Sequence, residues 1–434
     1  MPIFKRHIWN MKKHSNEEKS DPQNFRTFKG LTRFRSDNKV GFFSRAHKYL
    51  EAGLECLWEL FRNARLYKVS AAIVSGKEKH SGQPVKALYV GNFNNFAFVF
   101  GRICSEFGVI EEHRNINPLG IRSWVKRYKG TVDLVVADVE LLLCKTLPWM
   151  EFIQIPQWIR QKFDVPDSWE AVWNSFRKSA QKELRRVLKY GFTHRTTNSE
   201  EDFKTFYHRM YVPYIKERYG DEAIIVPETK FLRKCRRGQL MQLIRGGKVI
   251  YGALINNIGP LSIEWVGVPD NLEPEMLKGA SAALDYFIIL YAYEYGNQTI
   301  DFGPSRPLLN DGLFQYKRKW GTYLQDSRVP RGDILLKPLN FTIPIISFFV
   351  NNHFITRDGK RLVGKILFNE HRLNVNDLEH IKKCYFIESL DHLKIFALSG
   401  IEDDAREFAK VESHKLRLFD LTNRLHPEED FCRL

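Results

Sequence analysis

The sequence predicts an α/β protein: a mixed sheet with flanking helices, preceded by a second, smaller α/β domain. Up to about Pro156, strand-like apolar runs alternate with helical periodicity. Between Leu240 and Phe302, three strands with an antiparallel start are followed by a long helix and a further strand. A chain of 434 residues that is 43% hydrophobic and 13% aromatic has material for more than one core. The pattern divides it into a basic flexible arm over 1–39, an N-terminal α/β domain over 40–164, a main α/β domain over 165–328 and a C-terminal accessory segment over 329–434.

In the arm, Lys5, Arg6, Lys12, Lys13, Arg26, Lys29, Arg33 and Arg35 interleave with Phe25, Phe28 and Phe34. Such a stretch is either a solvated tail or a contact for nucleic acid or an anionic membrane. Ala46 to Leu66 reads as a helix with Leu50, Leu54, Leu57 and Leu60 on one face, and Val69 to Val74 and Ala87 to Val90 read as strands. Asn94 to Phe107 reads as helical and Val132 to Val139 as a buried strand. Val90-Gly91-Asn92 is read as a structural turn, since no G-x-G-x-x-G phosphate loop follows.

Asp167 to Tyr190 is predicted as one helix, capped by Asp167 with Glu170 three residues on. Trp169, Trp173, Phe176, Ala180, Leu184 and Val187 share its apolar face; Lys178, Lys182, Arg185 and Lys189, beside Arg177 and Arg186, form a basic stripe. That stripe either holds phosphates or is a solvated face. A helix from Ser199 to Val212 before Pro213 presents Phe203, Phe206, Tyr207 and Met210. Leu240 to Ile244 and Val249 to Ile255 form a hairpin through Arg245-Gly246-Gly247-Lys248, because paired glycines accept positive φ. Leu261 to Val268 is a third strand, Leu277 to Tyr295 a helix stopped by Gly296, and Thr299 to Phe302 a short strand. In the tail, Ile345 to Val350 fits a buried strand or a short helix, and Phe341 to Phe349 beside Lys337 is apolar enough to dip into a membrane interface.

The formal charge of +16, from 67 Lys and Arg against 51 Asp and Glu, favours polyanionic partners: nucleic acid, a nucleotide-bearing donor or an anionic membrane. Cys56, Cys104, Cys144, Cys235, Cys384 and Cys432 are scattered without zinc-ligand spacing, so no metal is expected and the thiols fit a cytoplasmic protein. No secretory h-region is visible in Met1 to Lys19, and no apolar run approaches the ~20 residues of a membrane span.

The stretch Ser179 to Gly191 (SAQKELRRVLKYG), followed by Ser199-Glu200-Glu201-Asp202-Phe203 and Glu217-Arg218-Tyr219-Gly220, resembles the opening of the GNAT domain in CelD-like proteins of cellulose biosynthesis, which group with the FemAB-like peptidyltransferases. Ile300-Asp301-Phe302-Gly303-Pro304-Ser305-Arg306, then Asp311 to Gly321 (DGLFQYKRKWG), resembles the closing signature of that group. The resemblance spans Asp167 to Leu324. It implies a GNAT-type mixed sheet in which a splayed pair of strands receives the donor, with a degenerate GNAT-like fold as one form of the preceding domain. The implied chemistry is acyl transfer to an amine or hydroxyl, here an amino sugar or nucleotide-sugar in surface polysaccharide assembly.

Such transfer needs a base, oxyanion donors and an acid for the leaving group. Lys317 stands where the group carries its aromatic-Lys pair, with Tyr316 where relatives often have Phe; it would stabilise charge or hold an acceptor phosphate. Asp301 and Asp311 are candidates for orienting Lys317 or for base work, each equally able to cap a turn. Glu264 interrupts an apolar strand and is a second base candidate, with solvent exposure as the alternative. Ser305 and Arg306 would grip an anionic acceptor, and Arg218 would bind substrate. For an acyl-CoA donor such as acetyl-CoA, the pyrophosphate loop falls on Lys278, Gly279 and Ala280, a departure from the usual Gly-rich pattern; aminoacyl-tRNA is the alternative donor, although no coiled-coil arm is present. A non-catalytic module binding nucleic acid or membrane is the reading from another class.

Overall fold

Three sheets organise the chain in the computed structural model, which describes residues 69–91, 93–116, 121–140, 151–220, 223, 225–270, 272–327 and 332–434. The expected arm over 1–39, the helix over 46–66, Cys56, Cys144 and the segment boundary at 328/329 lie outside the described residues. The first sheet has six strands in the order β3-β1-β2-β4-β13-β5. Its members are β1 (Val69–Glu78), β2 (Pro84–Gly91), β3 (Cys104–Ile116), β4 (Leu134–Glu140), β5 (Ile153–Pro156) and β13 (Gly332–Pro338), with α1 (Phe96–Ile103) and α2 (Ile121–Tyr128) between them. The residues Cys104 to Phe107, expected to continue a helix, open β3 instead, because β3 completes an antiparallel ladder with β1.

The second sheet has seven strands in the order β12-β6-β11-β10-β9-β8-β7. They are β6 (Ile159–Asp164), β7 (Thr193–Thr197), β8 (Gly238–Arg245), β9 (Lys248–Asn256), β10 (Leu261–Gly267), β11 (Thr299–Ser305) and β12 (Tyr323–Asp326). On one face α3 (Trp169–Ser175), α4 (Lys178–Val187), the short α8 (Pro274–Leu277) and α9 (Ala280–Glu294) close a core around Phe163, Phe176, Leu184, Tyr251, Phe287 and Trp320. On the other, α5 (Glu200–Phe206), a π-turn (Tyr207–Tyr211), α6 (Val212–Tyr219) and α7 (Glu228–Cys235) pack Phe206, Tyr211 and Phe231 on Leu240 and Leu254. The antiparallel run β7 to β10, the crossover helix α9 and a parallel β11 give the GNAT-type outline, with a second α/β sheet before it.

The two sheets trade strands. β5 and β6 are separated only by Gln157 and Trp158, yet β6 lies between β11 and β12 of the second sheet. In return β13, which follows β12, lies between β4 and β5 of the first. Residues 159–164 and 332–338, which composition groups with the N-terminal domain and the tail, are therefore inner strands of the opposite sheets. β13 suits an inner place because Ile334 and Leu336 enter one core while Leu335 enters another.

Two predicted helices have bounds other than those expected. The one expected over Asp167 to Tyr190 starts on Ser168, whose hydroxyl accepts from Ala171 N–H, in place of the Asp167–Glu170 box. It then stops at Phe176, where the Arg177 N–H donates to Lys319 O at 2.9 Å and the Phe176 ring meets Trp320 edge-on at 5.4 Å. The helix beginning at Ser199 does not end before Pro213. Proline cannot donate to Arg209 O, so the helix widens into the π-turn and that carbonyl accepts from Asp270 N–H at 3.3 Å. Gly267 permits this approach: a Cβ there would lie 2.7 Å from the Met210 carbonyl carbon.

The tail builds a third sheet, β14 (Phe354–Asp358), β15 (Arg361–Phe368), β16 (Leu393–Ala397) and β17 (Leu416–Asp420), with α12 (Val375–Tyr385) and α13 (Asp403–Val411) as parallel crossovers. Ile343–Asn351 is a helix, α11, and turns Ile345, Phe348 and Phe349 into the core, while Ile343 is exposed. Arg357 ties this layer to the rest, reaching Asp333 at 3.0 Å and Asp326 at 2.5 Å. Among the described residues no helix is long and apolar enough to cross a membrane.

Candidate functional site

β10 and β11 run parallel but pair only through Leu261–Ile300 and Ser262–Asp301. Just beyond that point both strands lose register with their other neighbours: β10 slips against β9 between Ile263 and Trp265, and β11 slips against β6 between Asp301 and Pro304. The strands thus splay at their C-terminal ends, where α/β folds place their sites. Gly303 makes the kink possible, at φ +80°.

One side chain occupies the backbone freed by the splay. Lys317, on α10 (Gly312–Arg318), donates to Pro304 O at 2.8 Å and Gly303 O at 3.3 Å and is only 8% exposed. Burial pushes its ammonium down to about 8, against the opposing pull of the Asp285 and Asp301 carboxylates. Its neighbour Tyr316 donates to Asp285 Oδ2 at 2.6 Å. Asp285 belongs to the second turn of α9, and burial raises its carboxyl to about 6 although the Tyr316 hydrogen bond and the Lys319 and Lys317 charges act the other way. Trp320 Nε1, buried and without a partner at hydrogen-bonding geometry, also holds it down. Lys319 lies 4.0 Å from the Tyr316 ring centre and is fixed by Glu183 at 2.6 Å. The polar lining continues through Tyr251, whose ring centre lies 6.4 Å from that of Tyr214, to Arg218, which donates to Tyr214 Oη at 2.6 Å.

The other sequence candidates are placed as follows. Asp301 is held by Arg160 at 2.7 Å and by Gly303 N–H at 2.8 Å, so it braces the kinked strand. Glu264 sits at the β10 slip, paired with Lys234 at 2.7 Å and with the Ser262 hydroxyl at 3.0 Å. Ser305 is buried and donates to Gln161 Oε1 at 2.7 Å. Arg306 leaves the site altogether. Its guanidinium is sandwiched 3.8 Å from both the Phe98 and Trp158 rings and donates to Asn95 Oδ1 at 2.9 Å. Asp311 caps α10 through the Leu313 and Phe314 N–H groups and pairs with Arg102 at 2.8 Å. Arg318, 2% exposed, donates to the carbonyls of Lys383, Cys384 and Phe386 and so caps the end of α12. Gly279 is left-handed at φ +78° and begins α9, where a Cβ would strike Val187 at 2.6 Å. Lys278 faces Glu275 at 3.6 Å.

Asp285 is the residue that pattern reading passed over. A signal was available: between Ala280 and Tyr293 it is the sole charged side chain in an apolar helix.

No family model matches the chain, and no curated protein matches it. Solved structures do overlap with it. FemX is 14% identical and aligns over 61% of this chain and 83% of its own, with a TM-score of 0.32. L-PGS from Bacillus licheniformis is 14% identical over 62% and 85% of the two chains, at 0.31. A GCN5-related N-acetyltransferase from Kribbella flavida is 11% identical over 70% and 64%, at 0.25.

As a seat for acyl-CoA the start of α9 fits in part. It offers a glycine N-cap without a competing side chain, but Glu275 flanks it and Arg245 is spent on Glu275 O and Met276 O at 2.5 and 3.1 Å. The outer face of α4 fits a polyanion better: Arg177, Lys178, Lys182, Arg185, Arg186 and Lys189 are exposed or edge-exposed, and none is ion-paired among the described residues. No group of three or more His, Cys, Asp or Glu among the described residues is placed to hold a metal.

Proposed function

We propose that the protein transfers an acyl group from an activated ester or thioester donor to an amine, with an amino sugar or nucleotide-sugar of surface polysaccharide as the acceptor class. The observation that carries this reading is the splay of β10 from β11 with the buried Lys317 ammonium anchored in it. Where β10 no longer bonds β11, an N–H of β10 is the donor that would polarise a carbonyl laid between the strands, since the Gly303 N–H is held by Asp301 and Pro304 has none. A cation beside it favours the developing oxyanion and the departing group. Acyl-CoA would supply a thioester carbonyl. The basic face of α4 favours a second reading, in which the donor is aminoacyl-tRNA; its phosphates would lie along α4.

Mass spectrometry of the purified protein with acetyl-CoA, longer acyl-CoAs and aminoacyl-tRNA, against amino-sugar and nucleotide-amino-sugar acceptors, separates these. Acylated product from a CoA donor supports the first reading, and product from aminoacyl-tRNA alone the second. If no donor gives product, or if Lys317→Met leaves product formation intact, the assignment of the splay as a transfer site is wrong and a binding module takes its place.

A further inference from the structure

We propose that Asp285, acting through the Tyr316 hydroxyl, receives the proton released by the acceptor amine, while Lys317 gives a proton to the donor's leaving group. This rests on the transferase reading above and assigns the acid and base within it.

The carboxylates marked by sequence pattern are already engaged. Asp301 is committed to Arg160 and a backbone N–H, and Glu264 to Lys234 and Ser262. Asp285 differs: among the described residues no Lys, Arg or His lies within ion-pair distance of it, and the Tyr316 hydroxyl donates to it at 2.6 Å. Tyr316 and Lys317 are adjacent on α10, so one helix carries both the hydroxyl bonded to Asp285 and the ammonium anchored on the Gly303 and Pro304 carbonyls, and the Lys317 charge acts on Asp285. The ring is held in place by Lys319 at 4.0 Å and by Trp320, and Lys319 by Glu183.

The step balances. The acceptor nitrogen attacks the donor carbonyl, forming the C–N bond, and gives a proton to Tyr316 Oη as Tyr316 passes its own to Asp285. The bond from carbonyl carbon to leaving sulfur or oxygen breaks, and Lys317 protonates that atom. Asp285 then returns its proton to solvent, and Lys317 takes one up. Tyr316 suits a relay over a resting anion, because burial beside Asp285 holds its phenol well above the usual range. The groups facing Asp285 are Tyr316, Lys317, Lys319 and Trp320 from α10 and the turn after it, and Tyr251 from β9 reaches toward it electrostatically. Asp301 and Arg160 act on Lys317 from the strand side. With Asp285 required as the anion and Lys317 as the cation, transfer should rise through about pH 6 and fall through about pH 8.

The test is single-turnover transfer by wild type, Asp285→Asn, Asp285→Glu and Tyr316→Phe across pH 5 to pH 9.5, with the donor that wild type accepts. Expected are a bell in wild type, a loss of ~100-fold or more in Asp285→Asn with the acid limb gone and KM unchanged, and partial recovery in Asp285→Glu. An acid limb that persists in Asp285→Asn, or a loss under about 3-fold, overturns the assignment while leaving the transferase reading standing. A wild type that transfers from no donor overturns that reading instead, and this one with it. Should Asp285→Asn not fold, wild type labelled with 13C at tyrosine Cζ gives the answer. The resonance that Tyr316→Phe removes should titrate near pH 6, and a flat response there overturns the relay.

Discussion

Replacing Lys317 by Met separates a functional buried charge from a structural one. The ammonium's pKa falls from 10.5 to about 8 on folding, mainly through burial. At 1.36 kcal/mol per pH unit, the folded chain bears about 3 kcal/mol of unfavourable free energy for keeping it charged at neutral pH. The sign follows from proton counts: between about pH 8 and pH 10.5 the unfolded chain binds more protons, so this residue makes wild type gain stability as pH rises through that window. Methionine removes the charge but also the donor to Gly303 O and Pro304 O, and an unmet buried carbonyl costs about 1–3 kcal/mol. The two effects nearly offset at pH 7, so Lys317→Met should unfold in urea within about 2 kcal/mol of wild type there. Near pH 10.5 it should be less stable by about 3 kcal/mol more than at pH 7. Other titrating groups are shared by both proteins, so the difference between the two urea curves isolates Lys317. Transfer should be lost at every pH. A stability difference that does not move with pH would refute the burial argument. A variant that keeps its activity would refute the role.

Two further outcomes follow from the packing. Arg306→Ala should destabilise the fold by about 2–4 kcal/mol in urea, because it opens a doubly stacked and hydrogen-bonded site between Phe98 and Trp158; KM per folded molecule should be unchanged, and a selective rise in KM would return Arg306 to substrate binding. Gly267→Ala should cost more than about 2 kcal/mol by thermal or urea unfolding, since its Cβ would press backbone atoms of the π-turn that cannot move independently. A neutral result would mean that the turn gives way easily.

Some of this protein is written locally. The hairpin at Gly246-Gly247 forms as its paired glycines require, both at positive φ. The apolar face of α4 and its basic opposite face follow from side chains three and four residues apart. The ambiguity at Ile345 to Val350 is also local, because a short apolar run lacks a period and only the partners of α11 decide it. Lys317 and Asp301 are candidates from the chain only because the strings around them resemble the closing signature of a known group.

Tertiary structure decided the rest, through contacts between residues far apart in sequence. Nothing within a few residues of Trp158 says that β6 leaves the sheet β5 belongs to, because an inner strand requires only apolar side chains and a vacant ladder, and the vacancy is made more than a hundred residues later by β11 and β12. The break at Phe176 depends likewise on Lys319 O and Trp320. Charge followed the same rule. Asp301 and Glu264 look reactive in isolation but meet Arg160 and Lys234, whereas Asp285, alone in an apolar helix, meets a tyrosine hydroxyl. A side chain's type is set by the sequence; whether its charge is neutralised, buried or left available depends on which distant partner the fold brings to it.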